Sequence, residues 1–208
     1  MAFIQSLVNG ELGLSVRTKL NQLIAKSNDN LAEIGWSDNR QWFSAARGNG
    51  TTEPAWVNMG NGQFAYSFTT GEELFANYHV NHDYARGTNA YPHIHFVLAN
   101  TPIAGQQITW SFNYVVARGH SQGDSLTAAE TTINMTYTAT GNEVAGEHII
   151  LECSDVDAFD LIEPDTIIIA RVALESANVT GAIYGLMCDL HYQMDRHATI
   201  NKSPDFYS

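Results

Sequence analysis

Histidine is the side chain whose number and spacing in this 208-residue chain most suggest chemistry. Eight histidines occur, and His93 and His95 stand two residues apart, with five residues between Gly87 and His93. Residues i and i+2 of a β-strand point to the same side, so the two imidazoles can reach one metal ion. The spacing therefore makes His93 and His95 candidate metal ligands.

This spacing resembles the opening of the first cupin metal motif, which continues with a glutamate a few residues later. Ala99 and Asn100 occupy that place here. The second cupin motif, with a proline, a glycine and a further histidine, has no counterpart near His148. Half of the expected ligand set is therefore missing, and we expect neither a resident metal ion nor another cofactor.

The residues between the histidines favour a different interpretation. Ile94, Phe96 and Leu98 alternate with them, so the core takes this apolar face and the imidazoles point outward. We expect outward histidines at the surface or at a subunit interface, and we assign His191 to a subunit interface.

Other catalytic patterns are weak. Asp155-x-Asp157 could begin a calcium loop, but the sixth position lacks glycine and Thr166 replaces the bidentate glutamate. We interpret the acidic run 152–165 as a solvated loop.

No G-x-S-x-G, phosphate-loop or G-x-G-x-x-G motif occurs in a strand–helix context, so we predict no enzyme and no catalytic residue. Paired carboxylates for glycoside hydrolysis stay open, since such pairs are formed in space.

The sequence predicts a structural role for the cysteines and leaves two roles open for the tryptophans. Cys153 and Cys188 lie in apolar, strand-like runs, and we expect both to be small buried hydrophobic residues. The tryptophans could line a carbohydrate platform together with tyrosines, although aromatic residues at alternating positions are more typical of a core. The four tryptophans are Trp36, Trp42, Trp56 and Trp110.

The charge balance excludes several partners. The formal net charge is −12, and residues 1–50 carry five basic against four acidic side chains, so the rest is strongly acidic. Phosphate groups repel such a chain, which disfavours nucleic acids and anionic membrane surfaces. No run approaches the ~18 apolar residues of a membrane span, and the N-terminus lacks a secretory signal pattern, so we expect folding in a cytoplasm.

Three segments follow from the hydrophobic pattern. Residues 1–34 form an arm in which Ser15 caps an amphipathic helix that ends near residues 27–30. Its apolar stripe needs a partner, either the rest of the chain or another protein. Residues 35–63, rich in tryptophan and glycine, are predicted to be a connection with at most one short strand.

Residues 64–208 contain about eight runs with a period of two, separated by Gly, Asn, Asp or Pro clusters. This spacing predicts an all-β domain, a jelly roll or β-sandwich of antiparallel strands. The run 166–172 is apolar at nearly every position, which indicates a strand covered on both faces. We therefore place Ile167 and Ile169 at a subunit interface.

Two stretches resemble virion structural proteins of tailed bacteriophages. Leu74–Phe96 contains His82-x-Tyr84 and Pro92-His93-x-His95, and Ala182–Tyr192 ends in Cys-Asp-Leu-His-Tyr. Residues 7–11 and 15–21 also resemble a segment recurrent in phage tail and head-appendage proteins. Phe96 stands where the pattern has tryptophan, and Asn81 where it has proline. The resemblance implies a trimeric jelly-roll module that is fixed to a virion by its N-terminal arm and has no enzymatic activity.

From this resemblance we expect a capsid decoration (cement) protein, a homotrimer that binds the major capsid protein or another virion protein. Its apolar arm would be the anchor, through Phe3, Ile4, Leu7, Val8, Val16, Leu20, Leu23 and Ile24. Two alternatives remain. One is a tail or head fibre module that recognises host surface glycans, and the other is a cupin-like metal-binding protein that uses His93 and His95.

Overall fold

The computed structural model describes residues 18–24, 34–43, 46–195 and 198–206. Within these ranges the chain forms eleven β-strands and one short helix, α1, over residues 18–24. The strands pair in one sheet of seven and one of four. The predicted all-β fold class, with antiparallel sheets in a β-sandwich, is confirmed. Met1–Gly35 and Trp36–Ser208 form two compact units.

The seven-stranded sheet is built around two long neighbouring strands near its centre. Its main path runs β2-β3-β11-β5-β8, while β1 pairs with β11 and β9 pairs with β5. The strands, numbered in chain order, are β1 (Ile34–Trp42), β2 (Ala55–Gly60), β3 (Gln63–Phe68), β5 (Asn89–Leu98), β8 (His148–Glu152), β9 (Phe159–Asp160) and β11 (Ile183–Asp195).

The four-stranded sheet has the order β4-β10-β6-β7. Its strands are β4 (Glu73–His79), β6 (Gln107–Ala117), β7 (Thr131–Thr138) and β10 (Ile167–Ala177). Along β10, Ile168, Ala170 and Val172 are at most 1% exposed, whereas Ile169 between them is 37% exposed. This alternation places one face of β10 in the core and the other on the outside of the sheet.

The core lies between the two sheets and is rich in aromatic rings. Trp110 of β6 is fully buried, and its indole meets the ring of Phe68 edge to face with centroids 4.9 Å apart. Phe96 of β5 contacts the same indole at 6.1 Å. Trp110 is therefore a core residue, and its predicted membership of a carbohydrate platform is wrong.

Two strands lie in the segment that was predicted to be a connection. β1 and β2 occupy 34–42 and 55–60 and pair with β11 and β3. The sequence pattern does not reveal them, because most of their positions are not buried and glycine and polar residues interrupt the apolar period. Edge strands of this kind lack the apolar period that marks a central strand.

The described helix, 18–24, falls inside the longer helix that the sequence predicts. Among the described residues, no helix is long and apolar enough to cross a membrane.

Gly185 of β11 is a point of close packing. A Cβ atom at this position would lie 2.6 Å from Phe68 and 2.8 Å from Phe43, two buried rings of the core. These distances are below any normal carbon–carbon contact. Only glycine fits at position 185, because these rings fill the space that a Cβ atom would need.

We expect Gly185→Ala to lower the free energy of unfolding by about 1–3 kcal/mol, because the rings must shift to admit a methyl group. Urea unfolding followed by tryptophan fluorescence measures the change. Gln63→Ala, at an exposed position on β3, is the control and should change stability by less than about 0.5 kcal/mol. Equal stability of Gly185→Ala and the parent chain would contradict the tight packing.

Candidate functional site

The outer face of the seven-stranded sheet carries a dense set of ionisable side chains. Along β5, Ile94 and Phe96 are fully buried against the core. Tyr91, His93 and His95 alternate with them and so point to the opposite, outer side. The sequence prediction that these histidines face away from the core is confirmed.

The neighbouring strands bring carboxylates to the same face. In the antiparallel register, His93 lies opposite Asp189 of β11 on one side and Glu152 of β8 on the other. Cross-strand partners share a face, so one histidine is flanked by two carboxylates. His191, two residues after Asp189, points to the same side.

A pocket of about 310 Å³ opens over this face. β1 contributes Asp38, Arg40 and Trp42 to its wall, and β8 contributes Ile150. The lining is Asp38, Arg40, Trp42, His93, His95, His148, Ile150, Met187, Asp189 and His191.

His93 and His95 point outward as predicted, but they are not exposed to solvent. His93 is 3% exposed and His95 is 9% exposed, so neither is a surface residue. A surface position is wrong for this pair, because the adjoining strands and the pocket wall cover them, and the alternative of a subunit interface stays a prediction. The acids of the pocket were not recognised as their partners. The signal was the Asp189-x-His191 spacing, which puts both side chains on one strand face.

The polar atoms of the pocket form two connected sets. Nε2 of His93 and Nε2 of His95 lie 3.3 Å and 3.5 Å from Oδ2 of Asp189. His191 lies between two other carboxylates, with Nδ1 at 2.7 Å from Oε2 of Glu152 and Nε2 at 2.8 Å from Oδ1 of Asp38. A carboxylate thus faces each of these three imidazoles.

Asp189 is an anion at the base of this pocket. Burial alone would raise the pKa of its carboxyl group, but the imidazoles of His93 and His95 beside it outweigh burial and hold the pKa below its usual value. His148 has a lowered pKa, first because of burial and then because of repulsion from His95.

Three of the four tryptophans are exposed. Trp36 and Trp42 of β1 are 56% and 54% exposed. The indole of Trp36 packs against the rings of Tyr91 and His191, with centroids 5.7 Å and 5.9 Å apart, which places it on the outer face. Trp42 lines the pocket itself.

Trp56 belongs to a different surface. It pairs with Tyr66 across the β2–β3 hairpin, and Tyr66 shares a strand face with the core residue Phe68. Trp56 is 48% exposed and stacks on Phe64, whose side chain is 51% exposed. This aromatic pair therefore lies on the core-facing side of the hairpin, away from the pocket.

A second histidine cluster surrounds Asp165, which follows β9. Nε2 of His79 and Nε2 of His82 each lie 3.2 Å from Oδ1 of Asp165, and Nε2 of His120 lies 2.8 Å from Oδ2. The ring of Phe206 contacts His82 and His120 edge to face. Asp165 therefore ties three loops together, which the interpretation of 152–165 as a purely solvated loop had missed.

The predicted anchor is only partly described. Phe3, Ile4, Leu7, Val8 and Val16 lie outside the described residues. In α1, Leu20 and Ile24 are half-buried and Leu23 is 63% exposed. Anchoring by this arm stays a prediction.

The predicted interface residues do not form one patch. Ile169 lies on the outer face of the four-stranded sheet, next to the half-buried Ile167, whereas His191 lies on the outer face of the seven-stranded sheet. A subunit contact at either face stays a prediction.

The cysteines behave as the sequence predicts. Cys153 and Cys188 are buried and unpaired, at 7% and 0% exposure. Burial raises the pKa of each thiol to about 12, so neither is a thiolate nucleophile near neutral pH.

No family model and no curated protein matches the chain. Dimeric latent PorU from Porphyromonas gingivalis is 10% identical, with a TM-score of 0.35 over 78% of this chain and 13% of that one. The CBM22-1–GH10 modules of Clostridium thermocellum endo-1,4-beta-D-xylanase 10B, complexed with xylohexaose, are 16% identical, with a TM-score of 0.34 over 81% of this chain and 28% of that one. The carbohydrate-binding module CBM28, specific for non-crystalline cellulose, is 18% identical, with a TM-score of 0.31 over 77% and 86%. The chain thus spans a small part of the first two structures.

We expect Asp165→Asn to destabilise the protein at pH 5 and to do so less at pH 3. Burial opposes ionisation of Asp165, but the hydrogen bond from His120 and the charges of His82 and His79 hold the pKa of its carboxyl group below the usual value. A lowered pKa stabilises the fold above the unfolded-state value of about 4, and this contribution disappears as the pH falls through the folded-state value. Urea midpoints at the two pH values measure it.

Asp155→Asn is the matched control, since Asp155 is an exposed acid in the same acidic run. It should leave the urea midpoint unchanged at both pH values. A deficit in Asp165→Asn that is equal at pH 5 and pH 3 would contradict an ionic role for this carboxylate.

Proposed function

We propose that this protein is a non-catalytic carbohydrate-binding module whose binding surface is the outer face of the seven-stranded sheet. The observation that carries the proposal is the exposure of Trp36 and Trp42 on that face, with the polar pocket beside them. This is the glycan-binding alternative of the sequence analysis, assigned to a defined surface.

The chemistry of the surface suits a sugar. A pyranose has apolar C–H faces, which pack on aromatic rings, and hydroxyl edges, which need hydrogen-bond partners. Trp36 and Trp42 offer the rings, and Asp38 and Glu152 offer acceptors for sugar hydroxyls. Exposed aromatic side chains with a few convergent polar groups are typical of a ligand site.

The length of the surface indicates an extended ligand. Trp36 and Trp42 are six residues apart on one strand, which corresponds to ~20 Å along an extended chain. Both lie on the same side of β1, because they are separated by an even number of residues. An oligosaccharide that contacts both indoles would cross the mouth of the pocket.

The charge of the surface favours a neutral glycan. Asp38, Asp189 and Glu152 lie on or beside the pocket, against a single arginine, Arg40, which pairs with Asp38 at 3.2 Å. The whole chain carries a net charge of −12. Acidic polysaccharides and nucleic acids are repelled by this field, whereas neutral sugars are not.

Asp189 is unsuited to act as the acid in glycoside hydrolysis. That reaction needs a carboxylic acid whose pKa is raised, so that it can protonate the leaving group. The pKa of Asp189 is shifted in the opposite direction, by its two histidine partners. Asp189 is therefore not a candidate acid, and the function that we propose for this face is binding. Mounting on a virion, which the phage resemblance implies, remains a further proposal that is compatible with glycan binding.

A glycan array followed by calorimetry on the full chain tests the proposal. We expect binding to neutral oligosaccharides, and we expect Trp42→Ala and Trp36→Ala each to weaken it by about ten-fold, through loss of a stacking face.

Trp56→Ala is the control, because Trp56 is similarly exposed but lies on the hairpin away from the pocket. It should leave affinity unchanged. Loss of binding in Trp56→Ala alone would move the site to the hairpin, and absence of any glycan binding by the folded parent chain would refute the function.

A further inference from the structure

Three side chains converge at the base of the outer-face pocket. His93, His95 and Asp189 each offer one ligand atom, and these three atoms lie within 4.8 Å of one another. The residues are 3%, 9% and 2% exposed. Two imidazoles and a carboxylate, held this close by cross-strand register, make a set of donors that a transition-metal ion prefers.

Several polar atoms of this set lack a hydrogen-bond partner among the described residues. They are Nδ1 of His93, Nε2 of His95 and Oδ1 of Asp189, and all three are buried. Buried polar atoms are nearly always paired in folded proteins, so an unpaired group points to a missing partner. An ion bound between the imidazoles and the carboxylate would give Nε2 of His95 a partner and would contact Asp189.

The surrounding residues orient the imidazoles for such an ion. Nδ1 of His95 lies 2.7 Å from Nε2 of His148, so this hydrogen bond leaves Nε2 of His95 directed at Asp189. Nδ1 of His93 faces Oε2 of Glu152 at 3.6 Å, which leaves Nε2 of His93 on the Asp189 side. Metal-bound histidines commonly use their second nitrogen in this way, toward a carboxylate or another polar group.

We propose that His93, His95 and Asp189 bind a divalent first-row transition-metal ion, represented by Zn²⁺, with a remaining coordination position toward the pocket. Ca²⁺ and Mg²⁺ are disfavoured, because they prefer oxygen ligands throughout. The expectation of no metal rested on the missing cupin glutamate. In this fold the carboxylate comes from β11, a strand that the cupin spacing does not consider. The proposal does not depend on glycan binding.

The second histidine cluster is the natural comparison within the same chain. Asp165 has three imidazoles at hydrogen-bonding or ion-pair distance, but His79 and His120 are exposed, and both oxygens of Asp165 already face histidine nitrogens. No ligand atom of that cluster is a buried atom without a partner. We therefore use it as a control and not as a second site.

The test is calorimetric titration of ZnCl₂ into the EDTA-treated, dialysed full chain, with elemental analysis of the desalted product. We expect one Zn²⁺ per chain and a higher Tm in its presence, because binding to the folded state stabilises it. His95→Ala and Asp189→Ala should abolish the stoichiometric binding.

A ligand variant that fails to fold would be uninformative, so outer residues complete the test. His148→Ala and Glu152→Gln change exposed side chains and should fold, yet they should weaken Zn²⁺ binding by about 10- to 100-fold. His79→Ala combined with His120→Ala should leave it unchanged. The proposal is overturned if the folded parent chain binds no Zn²⁺, if His148→Ala and Glu152→Gln bind as well as the parent, or if the His79/His120 variant loses binding. Glycan affinity is measured separately and does not enter these outcomes.

Discussion

The two-residue period of β5 and β11 is the constraint on which the rest of the structure depends. These two strands pair over most of their length, and each sends every second side chain into the core. Ile94 and Phe96 of β5 and Leu190 of β11 are fully buried there. The same geometry forces His93, His95 and Asp189 together on the opposite face. The core and the candidate site are therefore two sides of one strand pair, and a shift in register would destroy both.

The cost of this arrangement is a charged group taken out of water. An isolated buried carboxylate is strongly unfavourable, so Asp189 depends on the imidazoles beside it. The imidazoles in turn depend on an outer layer, in which His148 meets His95 and Glu152 faces His93. The polar side chains of the outer face thus depend on contacts with one another. The exposed tryptophans of β1 stand at its margin, where they contact solvent.

Sequence patterns predicted the central strands well and the edges poorly. β6 and β7 are among the runs with a period of two that the sequence predicts over 64–208, because their apolar alternation is uninterrupted. β1 and β2 were interpreted as a connection, since few of their side chains are buried and Trp36 and Trp56 are about half exposed. His93 and His95 were identified as a pair from their spacing. Their carboxylate partners come from β8 and β11, far apart in sequence, and only strand register brings them together.

The order of the strands has a consequence for synthesis. β10 stands between β4 and β6 in one sheet, and β11 stands between β3 and β5 in the other, yet they are the last two strands among the described residues. A nascent chain that ends before residue 167 contains neither strand, so each of its two sheets lacks a central strand. Both sheets therefore need residues 167–195 before their strands can assemble. Folding dominated by such distant pairings is slow, and the earlier strands present unpaired edges in the meantime.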